Sequence, residues 1–226
     1  MKNNSFDFIF IHGWGFDKFI WYNISNLLIK EKFCSSVFCI DLNFFSKGKD
    51  EKFKSRTTKK TIVVTHSYGL HWFLKNKIEC EGLINLFGSP DFTAYQVESK
   101  KKKLLLKKMI KNFKNNPEKV LQDFYSKCNF KFDKSSINYE NLLNALNYLD
   151  EDKLEREFFK IKFKIMSYYL LDDPIFTPSE EKIQKLKKEN HKIEFIKNED
   201  HLFPMNQPKK TLNFIKKFIQ TKYVDR

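Results

Sequence analysis

Apolar runs of strand length punctuate the chain: 8-FIFI-11, 37-VFCI-40, 61-TIVVT-65, 83-LINLF-87, 163-FKIMSYYL-170 and 193-IEFI-196. Most are continuous rather than alternating, as expected of strands covered on both faces of a parallel sheet. Between them, apolar residues recur at helical spacing in 19-FIWYNISNLLIK-30, 69-GLHWFLKNK-77, 179-SEEKIQKLKKE-189 and 208-PKKTLNFIKKFI-219. This alternation predicts an α/β domain with a mainly parallel central sheet flanked by helices. It stops between residues 92 and 158, where 99-SKKKKLLLKKMIKNFK-114, 117-PEKVLQDFYSKC-128, 139-YENLLNALNYL-149 and 151-EDKLEREFFK-160 all have helical spacing. Pro117 suits a helix start, where its missing N–H has no partner to lose. The pattern therefore predicts a core built from 1–91 and 159–226 and an inserted all-helical lid, 92–158. No repeat or low-complexity linker sets the insertion apart as an independent domain.

At 226 residues the chain suits one domain with its own core. A hydrophobic share of 41% excludes a disordered chain even with 31% charged residues. The start, MKNNSFDFIFIHGWG, holds only a short apolar run before a histidine and two glycines, too little for a signal-peptide core or a membrane span. The expectation is a soluble, cytoplasmic, monomeric protein without membrane association. Cys34, Cys39, Cys80 and Cys128 form no C-x-x-C pair and no cluster with histidine, so reduced thiols are expected and neither a metal nor another cofactor.

The net charge of +14 points to a polyanionic partner, and its distribution narrows the choice. Between residues 100 and 134 twelve lysines face Glu118, Asp123 and Asp133, which places a candidate docking face on the helical insertion. Within it Lys103, Lys107, Lys111 and Lys114 fall at helical spacing and share one side. No recognised nucleic-acid motif or aromatic stacking platform accompanies them, so nucleic acid is not the expected partner.

The candidate chemistry lies at strand ends. Ser67, in 61-TIVVTHSYGL-70, follows a strand and precedes an amphipathic stretch, the setting of a nucleophile elbow. A serine hydroxyl needs a base to take its proton and a turn that holds it clear of its own backbone. Gly69 leaves room for close helix packing, whereas Thr65 stands where such turns usually carry a first glycine. After the first strand, 11-IHGWG-15 can expose a backbone donor to a tetrahedral oxyanion, and the N–H groups of Trp14 and Tyr68 are the expected pair. A base and its orienting acid should follow at later strand ends. His201 in 199-EDHLFPMNQP-208 is the expected base. Asp173 in 172-DDPIFTP-178 is the expected acid, with Asp172 as the alternative. His66 is expected to pack away from the serine.

These motifs resemble the α/β-hydrolase fold, and more specifically the pimeloyl-[acyl-carrier protein] methyl ester carboxylesterases of biotin synthesis. The resemblance covers nearly the whole chain and includes 84-INLFGSPDFTA-94, a helical lid of similar length and 201-HLFPMNQP-208. It implies that Ser67 attacks the ester carbonyl, His201 shuttles the proton, Asp173 orients the imidazole, and basic lid residues grip an acidic acyl-carrier protein. The chain departs from the family at 43-NFFSKGK-49, which replaces a Gly-rich turn, at the shortened 50-DEKFKSRTTKK-60, and at Thr65. The rival expectations are a small-ester or thioester hydrolase without a carrier and a non-catalytic, basic nucleic-acid-binding protein.

Overall fold

The computed structural model describes residues 5–45, 60–133 and 136–223. Most of the segment expected to depart from the family, 46–59, lies outside the described residues. Six parallel strands form one sheet: β1 (Phe6–Ile11), β2 (Cys34–Ile40), β3 (Thr61–His66), β4 (Gly82–Leu86), β5 (Lys164–Leu170) and β6 (His191–Ile196), in the order β2-β1-β3-β4-β5-β6. β3 and β4 are buried at every position, which explains their unbroken apolar sequences, while the edge strand β2 is only partly covered. The strand order reverses between β1 and β3, so a crevice opens beyond the carboxyl ends of this pair, the usual ligand position in open α/β sheets.

The flanking helices are α1 (Tyr22–Leu28), α2 (Gly69–Asn76), α7 (Glu180–Gln184), α8 (Phe203–Asn206) and α9 (Pro208–Tyr223). α9 packs on the sheet through Phe214, stacked 3.8 Å from the Tyr168 ring, and through Phe218 over Gly82, where a Cβ would come within 2.4 Å of the ring. Two stretches of helical spacing fold more tightly than their pattern suggests. Residues 18–21 form a 3-10 turn capped by the Asp17 side chain before α1 begins. The 179–189 helix stops at Gln184, because Lys185, Leu186 and Lys187 each donate to the carbonyl three residues back. Lys188 Nζ then donates to the carbonyls of Phe158 and Ile161, turning the chain toward β6.

Between β4 and β5 come α3 (Ser99–Asn115), α4 (Pro117–Lys127), α5 (Tyr139–Glu151) and α6 (Glu155–Lys160). Asn116 and Asn138 cap α4 and α5 by accepting from the N–H groups of Lys119 and Asn141. α3 packs against both α4 and α5. No described helix is long and apolar enough to cross a membrane.

A buried polar chain crosses four strands behind the crevice. Thr65 Oγ1 donates to Asn85 Oδ1 at 3.3 Å, and Asn85 Nδ2 donates to Ser167 Oγ at 3.2 Å. Ser167 Oγ lies 2.9 Å from His191 Nε2, and His191 Nδ1 lies 3.0 Å from the Leu186 carbonyl. The carbonyl can only accept, so Nδ1 carries the proton and Nε2 accepts from Ser167. This arrangement requires a neutral His191, and burial draws its pKa down from 6.5 to about 4. Burial does the same to His71, also to about 4, and holds His66 well below the usual value. A histidine whose folded pKa lies below its unfolded value takes up its proton more readily when unfolded. Stability is therefore fully present above pH 6.5 and is lost as pH falls below it, by about 1.4 kcal/mol per pH unit for each such histidine. Urea midpoints at pH 7.5 and pH 5 are expected to show this loss, with a shallower slope in His71→Phe. A flat profile over that range would contradict it.

Candidate active site

β3 ends at His66, and Ser67 turns sharply into α2 with φ of 51°, the left-handed region that disfavours a residue with a Cβ. Two backbone bonds hold the turn: Ser67 N–H to the Leu86 carbonyl at 2.8 Å, and Leu70 N–H to the Ser67 carbonyl at 3.1 Å. Gly69 is required here, because a Cβ would lie 2.4 Å from the Ile11 carbonyl oxygen, so the first turn of α2 rests directly on the end of β1. Thr65 fits the elbow because its hydroxyl is engaged by Asn85 on the neighbouring strand. The same Asn85 accepts from Gly88 N–H and donates to the Gly88 carbonyl, fixing the turn that follows β4.

The loop after β1 runs against the serine. A Cβ on Gly13 would stand 3.1 Å from Ser67 Cβ and 2.9 Å from His66 Nδ1, so only a glycine passes there. His12 shapes this loop from a buried position. Its Nε2 accepts from Leu42 N–H at 2.9 Å, which leaves Nδ1–H to donate to the Gly13 carbonyl, also at 2.9 Å. Among the described residues, the backbone N–H groups of Trp14 and Tyr68 have no acceptor. Donors left unpaired inside a protein are costly unless something else is to be bound.

Asp173 and His201 meet in the crevice, both 1% exposed, with Asp173 Oδ2 2.7 Å from His201 Nδ1. The other carboxylate oxygen of Asp173 accepts from Ile175 N–H at 2.8 Å, so the acid is held from two sides. Asp172 is exposed. With Nδ1–H donated to the acid, Nε2 is the free, basic nitrogen; it is buried and has no hydrogen-bond partner among the described residues. The His201 ring lies 4.8 Å from the ring of His66, the residue before the serine. The Ser67 Oγ to His201 Nε2 bond is not made, and in unliganded sites such bonds are often loose, tightening around a substrate.

His66 does more than pack. Its Nε2 lies 2.8 Å from the His201 carbonyl and must donate to it, which fastens the backbone of the loop that carries His201. Burial first, and then the neighbouring His201, keep His66 neutral. Nothing in the sequence spacing announces this contact, because it joins residues 135 positions apart.

Beside Ser67 a cavity of about 350 Å³ extends between α3, α4 and α5. Its walls include Trp14, Leu105, Leu106, Met109, Val120, Phe124, Leu146 and Leu149, with Ile175 from the loop carrying Asp173. The insertion is fastened to the loop after β1: Trp14 Nε1 donates to the Leu142 carbonyl at 2.9 Å, and Tyr125 Oη donates to the Gly15 carbonyl. Gly15, at φ of 72°, lies under the Phe124 ring, which a Cβ would approach to 3.0 Å.

Lys103, Lys107, Lys111 and Lys114 form a row along α3, with Lys103 half-buried and the others exposed. None of the four lines the cavity. The lysines that do are Lys102, Lys108 and Lys127, on a different side of α3 and on α4. Leu104 and Leu105, with spacing suited to packing within the insertion, are 68% and 51% exposed, and Leu105 borders the cavity.

A parallel sheet of this order with a strained serine turn after β3 and a histidine–carboxylate pair after later strands defines the α/β-hydrolase fold, and the chain has that fold. Solved structures of the same architecture include an esterase from Exiguobacterium antarcticum, with TM-score 0.77 and 12% identity over 96% of this chain and 93% of that one. A bromoperoxidase from Bacillus anthracis matches with TM-score 0.76 and 11% identity over 96% and 92% of the two chains. MenH from S. aureus matches with TM-score 0.70 and 16% identity over 98% and 95%. No family model and no curated protein matches the sequence.

Proposed function

We propose that the protein is a carboxylic ester hydrolase with Ser67 as nucleophile, His201 as general base and acid, and Asp173 as the residue that orients His201. The observation that carries this reading is the buried Asp173–His201 pair, its imidazole 4.8 Å from the ring of His66, the residue before a serine held in a strained turn. Ser67 Oγ attacks the ester carbonyl as His201 Nε2 takes its proton, and the resulting oxyanion is received by the N–H groups of Trp14 and Tyr68. The tetrahedral intermediate collapses, and His201 passes the proton to the departing alcohol. Water, activated by the same nitrogen, then cleaves the acyl-serine and restores the hydroxyl. Asp173, accepting from Nδ1–H, keeps the imidazole in the tautomer whose Nε2 is basic.

In its finer form the proposed substrate is the methyl ester of pimeloyl-[acyl-carrier protein], which yields methanol and the carrier-borne acid in biotin synthesis. The resemblance in HGWG, the serine turn, 172-DDPIFTP-178 and 201-HLFPMNQP-208 supports this reading. So does the row of lysines on α3, whose charge is complementary to an acidic carrier. A fluorophosphonate probe is expected to label Ser67 in the folded protein. Carrier-borne methyl ester is expected to be hydrolysed faster than a short p-nitrophenyl ester, with a rate that falls as salt screens the lysines. Labelling with salt-independent turnover of the carrier substrate would count against the carrier; no labelling, with tight salt-dependent nucleic-acid binding, would count against the enzyme.

A further inference from the structure

The cavity beside Ser67 is mainly apolar, yet three lysines line it, the half-buried Lys102 and the exposed Lys108 on α3 and the exposed Lys127 on α4. Of its lining residues only Asp123 is acidic, and that carboxylate is engaged by Lys119 at 2.9 Å. Lys102 is half-buried and fixed in place: its Nζ donates to Thr177 Oγ1 at 3.1 Å, and Thr177 Oγ1 donates to the Asp173 carbonyl at 2.9 Å. An ammonium has three donors, so two remain beyond this bond. Asp173, whose charge also reaches Lys102, already serves His201 and Ile175. Burial lowers the Lys102 pKa against the pull of Asp173, and the positive charge of Lys127 adds to the lowering. Lys102 and Lys127, on neighbouring helices, thus line the cavity wall with like charges that act on each other, and an anion between them would be attracted by both.

We propose that this wall is an anion subsite: the acid portion of the ester, whose carbonyl meets Ser67, ends in an anionic group held by Lys102 and Lys127. The proposal rests on the reading of Ser67 as the nucleophile and adds the substrate class. The anion has two possible sources with the same chemistry, the free carboxylate of a dicarboxylic half-ester and the phosphodiester of a carrier's prosthetic arm.

Two substrate pairs separate the sources. The first sets p-nitrophenyl hemiadipate against p-nitrophenyl hexanoate; the second sets methyl pimeloyl-phosphopantetheine against methyl pimeloyl-pantetheine. The wild-type protein is expected to favour the anionic member of one pair through a lower KM, and the pair concerned names the source. Lys102→Met and Lys127→Met are each expected to lower that preference about tenfold, the loss of one charge-assisted hydrogen bond. Lys100→Met, which removes an exposed α3 charge outside the cavity, is expected to leave the preference unchanged. Equal rates within both pairs would overturn the subsite and leave the hydrolase reading standing. So would variants that slow both members of a pair alike, since Lys102 would then act through Thr177 and Asp173. No hydrolysis of any substrate, with no fluorophosphonate labelling, would overturn both.

Discussion

Ser67→Ala is expected to lower kcat on any accepted ester by about a millionfold, with His201→Ala equally damaging and the double variant no worse than either. The equality follows from the two residues acting as one unit, since a serine without its base is as inert as a base without its serine. Folding should survive both changes. Alanine at position 67 keeps the Cβ that already occupies the left-handed turn, and the bonds that hold the turn come from the backbone. His201→Ala leaves the carbonyl that His66 grips. Steady-state rates with a p-nitrophenyl ester, beside circular dichroism of each variant, make the check. Retention of more than a trace of rate in Ser67→Ala would remove the serine from the mechanism.

Asp173→Asn is expected to cost about ten-thousandfold in kcat with little change in KM. The asparagine amide can donate to Nδ1, which would strip the proton from that nitrogen and place it on Nε2, the atom that must accept from Ser67. The geometry for this inversion is present, because the carboxylate oxygen facing Nδ1 is separate from the one accepting Ile175 N–H. Asp172→Asn is expected to be nearly silent, as that side chain is exposed and touches neither His201 nor the cavity. Reversal of the order of the two variants, measured as kcat on one substrate, would transfer the acid's role to Asp172.

Much of the fold can be read from the apolar runs, because strands buried on both faces have little room for polar residues. β3 and β5 coincide closely with TIVVT and FKIMSYYL. The 179–189 helix is shorter than its pattern because tight turns and the Lys188 contacts, neither visible in periodicity, take over after Gln184. At the site, residue order along the chain picks out Ser67, His201 and the neighbours Asp172 and Asp173 as candidates, since each follows a strand that the pattern identifies; the choice of acid needs the fold, which pairs Asp173 with His201 and leaves Asp172 exposed. It cannot say how Thr65 is tolerated, which depends on Asn85 arriving opposite it from the next strand. Nor can a run such as 100-KKKK-103 say which lysine lines a cavity. That depends on the side α3 turns toward α4 and α5, and it falls to Lys102 rather than to Lys103.

The two fastenings between the insertion and the loop after β1 bear on how a substrate gets in and out. α4 and α5 cannot draw away from the sheet without breaking the bonds of Tyr125 to Gly15 and of Trp14 to Leu142. The same movement would free the backbone on which the Trp14 N–H is aimed. Movement of the insertion and the proposed oxyanion contact would thus alternate: with α4 and α5 drawn away the backbone that carries the Trp14 N–H is released, and with both bonds made it is held. Hydrogen exchange at the Trp14 and Gly15 amides would time that alternation directly.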